Sequence, residues 1–395
     1  MNIGIIGAGI SGVLLATLLK QNDPSLNVTL IDINKKEGKK FLITGNGRCN
    51  LGNKNIDSFA YNNKNVYDLV ESFPIEKQIE FYNSIGLVTC SINDLYYPYS
   101  LSAKAMVDYL IGYLKDKKAR FLLSLDVIDY QVNKTSVIIN TSNRNYAFDK
   151  VVFATGGLSH ITLNQHPFLS IFKKHGYKST VISSGLTSII TKENTKQIEN
   201  LRVKCKVSLL FDSKSYYEEK GEVLFKKNGL SGIAIFNAES LIKRNDGKFK
   251  NATIILDLMS ELSLDEVAAF LKKSNDIVSF SCLDGIFDKT LSEYIRKFAH
   301  VKNLYKFTNS EIISLAKAIK NLSFSYQDSY GYEDSQVTIG GLDFENFTDY
   351  LESKIENNVY AVGEVLDADG LCGGYNIMFA LASAHRTYLS LIKTK

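Results

Sequence analysis

The spacing of apolar and polar positions changes several times along this chain, and each change marks a predicted element. Residues 2–6 form an apolar run that ends in glycines, residues 13–20 repeat apolar positions at helical spacing, and 28–31 is a second apolar run. Strand, glycine turn, helix and strand in that order predict a parallel βαβ unit. Helical spacing returns at 65–86 and 102–117, separated by an extended, aromatic-rich segment at 96–100. The runs 121–127, 136–140 and 146–154 predict a small meander that returns to a buried parallel strand. Residues from about 186 to 255 read as β structure, while 264–272, 290–299 and 309–319 read as helices. An apolar strand at 358–362 and a helix at 377–387 then resume the opening pattern. The predicted class is α/β, with one nucleotide-binding Rossmann domain built from 1–186 and 332–395. The insert divides into a β part, 187–260, and a helical part, 261–331.

Composition narrows the function classes. Over 395 residues, 45% apolar and 22% charged side chains are globular values, and no Pro-rich or Gly/Ser-rich linker appears. Five cysteines, Cys49, Cys90, Cys205, Cys282 and Cys372, are odd in number and lack CxxC spacing. That argues against a disulfide framework and a zinc site, and a reducing cytoplasm is expected. The apolar start has no preceding basic residue, and no window offers about 20 uninterrupted apolar residues, so neither a signal peptide nor a membrane span is expected. The net charge of +4 is too small to imply nucleic-acid binding by itself.

The chemistry concentrates in glycine-rich turns. Gly7 allows a tight turn, Gly9 lets a pyrophosphate approach the helix start, and Gly12 lets helix and strand pack closely, with Ser11 between them. Asp32, closing the second strand, is placed to hold a ribose hydroxyl. The segment from Lys39-Lys40 through Gly45-Asn46-Gly47-Arg48-Cys49-Asn50 puts glycines and hydrogen-bond donors where an α/β sheet binds cofactors. Thr155-Gly156-Gly157, Gly363-Glu364 and Gly373-Gly374-Tyr375-Asn376 are further places where backbone can approach a ligand.

With these motifs assembled, the chain resembles the BaiN/RdsA (YhiN-type) family of NAD(P)/FAD-dependent oxidoreductases. The resemblance rests on Gly7 to Gly12, the Gly45 to Asn50 element, Tyr97-Pro98-Tyr99-Ser100, Ala154 to Ser159, Gly229-Leu230-Ser231-Gly232, Gly363 to Asp367 and Gly373 to Asn376. It implies FAD on a glutathione-reductase-type Rossmann fold with an inserted β-barrel and a helical subdomain. By that resemblance Gly7, Gly9, Ser11, Gly12 and Asp32 hold the ADP half, and the Val127 backbone faces the adenine. Gly45, Asn46, Arg48, Cys49 and Asn50 line the flavin, Gly363 and Glu364 bind the ribityl chain, and Gly374, Tyr375 and Asn376 lie near the pyrimidine edge. The chain departs from the family pattern at His160 to Asn164, and at Lys226-Lys227, where Thr-His often stands.

The implied reaction is reduction of a carbon–carbon double bond conjugated to a carbonyl, with NAD(P)H as a transient donor because a single GxGxxG unit is present. Arg48 or Asn50 would polarise the oxygen, and Cys49, Tyr375 or Cys372 would supply the proton. Cys49 and Cys372 are equally read as packing residues, as are Tyr97 and Tyr99. His160, which follows the Thr-Gly-Gly turn, is a candidate substrate contact, whereas His166, His175, His300 and His385 form no triad or metal spacing. Basic clusters at Arg202/Lys204/Lys206, Lys226-Lys227, Lys243-Arg244 and Lys248/Lys250, beside Tyr216-Tyr217, read either as a solvated face or as a footprint for RNA phosphates. The second reading makes uridine in ribosomal RNA the favoured substrate. A steroid- or bile-acid-like enone and a non-catalytic FAD-binding redox sensor are the alternatives.

Overall fold

The computed structural model describes residues 1–42, 47–159, 168–245 and 251–393. The expectations for Gly45, Asn46, His160, His166, Lys248 and Lys250 fall outside the described residues. The chain divides into two compact units, Met1–Ser183 with Val337–Lys395, and Ser184–Gln336.

The first unit is built on a parallel sheet. Among the described residues its strand order is Val359–Ala361, Lys150–Phe153, Asn2–Ile6, Asn27–Ile31 and Arg120–Leu122. Ile6 stands opposite Ile31 on one side and Phe153 on the other. These strands are near-continuous apolar runs because both faces of a parallel sheet are covered. The helix Ile10–Asn22, buried from Ser11 to Lys20, packs against the last helix, Tyr375–Lys393.

Two predicted elements split. The helical stretch at 65–86 becomes Lys64–Ser72 and Ile75–Ser84, because Pro74 has no N–H to carry the ladder onward. The run at 121–127 divides as well: Arg120–Leu122 is the outer strand of the parallel sheet, and Val127–Val132 opens an antiparallel meander with Val137–Thr141 and Asn145–Phe148. Between them Ser124 turns at φ +56° and the Leu125 N–H donates to the Asp32 carbonyl. The aromatic segment is the second strand of a hairpin, Thr89–Ile92 with Leu95–Pro98, turned at Asn93 and Asp94 and paired to Gly52–Asn53.

The second unit is a closed six-stranded barrel among the described residues. Its order is Ile189–Thr191, Gly229–Ser231, Lys214–Lys226, Arg202–Phe211, Ala252–Asp257 and Leu322–Ser329, which returns to Ile189–Thr191. The helices Leu264–Ile277, Lys289–Phe298 and Asn309–Lys320 lie in sequence between the last two strands. Ser263 with Glu266 and Thr308 with Glu311 close capping boxes at two of their starts. The expected division at 260/261 is therefore corrected: Leu322–Ser329, assigned to the helical part, is the strand that closes the barrel. No helix among the described residues is long and apolar enough to cross a membrane.

Two histidines of the first unit carry opposite pH dependences. His175 bridges Glu356 at 2.8 Å and Asp129 at 3.0 Å and stacks on Tyr130. Burial alone would lower its pKa, but the bonds and charges of these two carboxylates override it and raise the pKa. Its stabilisation is complete below about 6.5 and lost as the pH rises through the raised folded value. His385, stacked on Phe73, is pushed down to about 4 by burial, with Arg386 and Lys77 adding to it. Its contribution is complete above about 6.5 and lost as the pH falls towards 4. Melting curves from pH 4 to 9 should therefore show His175→Gln flattening the alkaline side and His385→Gln the acid side; unchanged limbs would reject both assignments.

Candidate functional site

The glycine turn ends the first strand and opens the helix Ile10–Asn22. A Cβ on Gly7, at φ +111°, would stand 2.2 Å from the Ala154 carbonyl oxygen, and one on Gly12 would stand 2.1 Å from that of Gly7. Both glycines are demanded by the fold. Gly9 differs, since a Cβ there meets no atom within 4 Å. It is also the N-cap and gives the helix no side-chain cap, so the first N–H groups lack an intrahelical or capping acceptor. Asp32 anchors this turn. Its Oδ2 accepts the Ala8 N–H at 2.7 Å and its Oδ1 accepts the Asn34 backbone and side-chain N–H groups at 2.7 and 2.8 Å. A half-buried carboxylate with about four acceptor positions retains capacity for a hydroxyl.

A second group of residues meets beside it. Gly363, at φ +73°, lies so close to Ser11 that a Cβ would stand 2.1 Å from the serine Oγ, and its N–H donates to Ser383 Oγ. Glu364 Oε1 accepts the Thr338 N–H at 2.7 Å, and Thr338 Oγ1 accepts from the Leu158 N–H at 2.6 Å. Gly157 has no room for a side chain between Thr338 and Glu364, and Gly156 turns at φ +68°. Lys40 Nζ donates to the Gly157 carbonyl at 2.7 Å, so this residue joins the cofactor loop to the Gly-Gly turn. Thr155 Oγ1 is buried without a hydrogen-bond partner, which is costly unless a ligand satisfies it.

The third group is a clamp that sequence reasoning missed. Asn62 Nδ2 donates to the Asp367 carboxylate at 2.8 Å and to its carbonyl at 3.1 Å, and Asn63 Nδ2 reaches the same carbonyl at 2.8 Å. The Asn62 backbone N–H donates to the Asp369 carbonyl, the Asp369 N–H to Asn62 Oδ1, and the Leu371 N–H to the Ala60 carbonyl. The clamp presents Gly373 and Gly374, at φ +129° and +91°, to the segment after the cofactor loop. A Cβ on Gly374 would stand 2.7 Å from Asn50 Oδ1. The start of the helix Tyr375–Lys393 therefore sits directly over Asn50 and Gly52. Paired asparagines before a helix were the available signal, and Asn63 does cap Lys64–Ser72.

Several expected roles change. The Cys49 thiol is fully buried, 3.5 Å from Met106 Sδ, with the backbone at φ +60°; this is the packing reading, and the proton-donor assignment is withdrawn. The Asn376 side chain is engaged by Gly370, donating to its carbonyl and accepting its N–H, each at 2.8 Å, so only its backbone N–H faces the helix start. Tyr375 OH donates to the Asn55 carbonyl and accepts from Asn53 Nδ2, while its ring meets Tyr61 edge-on. Burial, reinforced by Tyr375, pushes the Tyr61 phenol well above its ordinary pKa, so it stays a donor to the Tyr375 carbonyl. Arg48 is exposed, and its charge opposes the burial that raises the Tyr97 pKa. Asn50 Oδ1 accepts the Gly52 N–H, Cys372 is half-buried, and Val127 starts its strand with a buried side chain.

The sequence profile of the family described as "HI0933-like protein Rossmann domain" matches residues 1–388. A "3-dehydro-bile acid delta(4,6)-reductase" of Clostridium scindens is 27% identical and the alignment covers 97% of each chain. A "ribosomal RNA dihydrouridine synthase" of Escherichia coli is 26% identical, covering 99% of this chain and 98% of that one. Among solved structures, 3-ketosteroid delta1-dehydrogenase from Sterolibacterium denitrificans matches with a TM-score of 0.51 at 11% identity, covering 100% of this chain and 99% of that one. At that identity the likeness concerns the fold.

Proposed function

Because the chain belongs to the HI0933-like Rossmann-domain family, we propose that it is an FAD-dependent oxidoreductase that reduces a carbon–carbon double bond conjugated to the carbonyl of a small molecule. The observation that carries the cofactor is the contrast among three glycines: Gly7 and Gly12 are fixed by backbone clashes, while the position a side chain on Gly9 would take is open beside an uncapped helix start. The partnerless Thr155 Oγ1 fits the same ligand. When bound, FAD supplies the hydride.

This chain's residues supply the rest. N–H groups at the start of Ile10–Asn22 would hold the pyrophosphate, with Asp32 beside them for a ribose hydroxyl. Glu364 and the Gly156–Gly157 backbone would flank the ribityl chain. The N-terminal end of the helix Tyr375–Lys393 would stabilise negative charge at the flavin edge. Cys372 and Tyr375 remain the candidates to hold the transferred proton.

A small enone is favoured over RNA because three of the basic side chains on the insert's strands are taken up by carboxylates. Arg202 meets Glu222 at 2.5 Å, Lys206 meets Glu218 at 3.3 Å, and Lys220 meets Glu261 at 2.7 Å. Tyr217 donates to Glu219, and Tyr216 packs edge-on against Phe211. Uridine in ribosomal RNA is the second reading, supported by the E. coli relative's name.

Anaerobic stopped-flow is expected to show NADH or NADPH bleaching the flavin and a steroid-type enone restoring its colour. A yellow protein that neither nicotinamide reduces would reject the donor, and one that turns over no acceptor would favour the redox sensor. Loss of ribosomal dihydrouridine on gene deletion, with no enone reduction, would establish the RNA reading instead.

A further inference from the structure

Some cationic side chains of the barrel unit lie tightly against carboxylates, as Lys320 does on Asp257 at 2.7 Å. Lys226, at the end of Lys214–Lys226, is held differently. Its Nζ lies 3.9 Å from the centre of the Tyr330 ring and 3.4 Å from Ser188 Oγ. The Asp334 carboxylate is 3.6 Å away, beyond hydrogen-bond length, and is itself half-exposed. The lysine side chain is only 29% exposed. An ammonium with three donors is thus partly withdrawn from water while only long contacts compensate it.

The surroundings favour a ligand over a missing structural bond. Ser188 Oγ donates to Ser231 Oγ at 3.0 Å, so a second hydroxyl stands next to the one Lys226 touches. Tyr330 supplies an aromatic wall, a surface that suits a cation and the apolar body of a ligand alike. Burial, then the charges of Asp334 and Glu199, raise the Tyr330 pKa, which keeps the phenol protonated.

We propose that Lys226, Ser188, Ser231 and Tyr330 form a binding site for the carboxylate of a small, largely apolar organic acid. A carboxylate oxygen would replace the long contacts by charge-assisted hydrogen bonds of about 2.7–2.9 Å. A single negative charge matches a single ammonium. A polyanionic chain would bring further charge against Asp334 and Glu199, which face the same tyrosine. The proposal rests on the small-molecule reading for its choice of ligand, and its test needs no turnover.

The test uses the FAD-loaded protein with cholate as probe, measured by calorimetry, with methyl cholate as the uncharged control. Cholate is expected to bind, methyl cholate about tenfold more weakly, and Lys226→Met to bind both as weakly as the wild type binds the ester. Lys226→Arg should restore the preference for the acid. Flavin absorbance and melting temperature in Lys226→Met report whether the fold is intact. Equal binding of acid and ester by the wild type, or unchanged cholate binding by Lys226→Met, overturns the proposal. Displacement of cholate from the wild type by a short uridine oligonucleotide, abolished in Lys226→Met, also overturns it, by making the site one for phosphate. If cholate binding follows the expected pattern while no enone is reduced, the site stands and the proposed reaction falls.

Discussion

Gly9→Val is expected to give a folded protein that carries no FAD. Gly9 has φ −76° and ψ −173°, ordinary extended backbone that valine adopts, and no atom lies within 4 Å of the Cβ position. The folded chain should lose only the difference between glycine and valine as N-cap, about 1 kcal/mol. The isopropyl group would occupy the space a pyrophosphate needs to reach the helix N–H groups. The ratio of absorbance at 450 nm to that at 280 nm should fall to below about a tenth of the wild-type value. The melting temperature should lie about 2–4 °C below that of wild-type protein stripped of flavin. Gly7→Ala and Gly12→Ala are the contrasting controls, expected to unfold the unit because their side chains meet carbonyl oxygens at 2.2 and 2.1 Å. A yellow Gly9→Val protein would remove this turn from the cofactor site.

Asn62→Ala is expected to loosen the opposite end of the site. The substitution removes the side-chain bonds to the Asp367 carboxylate and carbonyl and the acceptor of the Asp369 N–H. Each buried group left without a partner costs about 1–3 kcal/mol, so the unit should lose about 2–4 kcal/mol after partial relaxation. Burial, then the neighbouring Asp369, already push the Asp367 pKa up to about 6, and the bond from Asn62 opposes that rise. The variant should therefore titrate Asp367 still higher, which NMR of a 13C-labelled carboxylate would follow. Melting at the wild-type temperature with full FAD retention would show that the clamp does not position the Gly373–Gly374 turn.

The parts of the fold that sequence made legible are those whose physics is local. Apolar runs ending in glycine announced the inner strands, because a parallel strand covered on both faces has no polar side to confuse the period. Helix starts at 264 and 309 were equally plain, since their capping boxes are written within four residues. The barrel's closing strand was hidden because Leu322–Ser329 pairs with residues more than 60 positions earlier, information no local window contains. The same limit governed the site. Gly7 and Gly12 are legible as glycines because backbone crowding leaves no other choice, and Gly363 because it turns at φ +73° against the Ser11 side chain. Cys49 looked reactive beside Arg48 and Asn50, yet a left-handed backbone turns its thiol inwards to Met106. Asn62 and Asn63 were passed over because their partners, Asp367 and Asp369, lie about 300 residues away.

The strand order has a consequence for how the protein is made. The first strand, Asn2–Ile6, lies between Asn27–Ile31 and Lys150–Phe153, but the sheet is completed by Val359–Ala361 and its helical cover by Tyr375–Lys393. A nascent chain therefore carries its dinucleotide turn outside the ribosome long before Gly363, Glu364 and Gly374 have been translated. The barrel, continuous from Ser184 to Gln336, can close while synthesis is still under way. Flavin capture must wait for the final segments, so chains that stall late in translation should accumulate with a finished barrel and an exposed, apolar half-sheet, the species most in need of a chaperone.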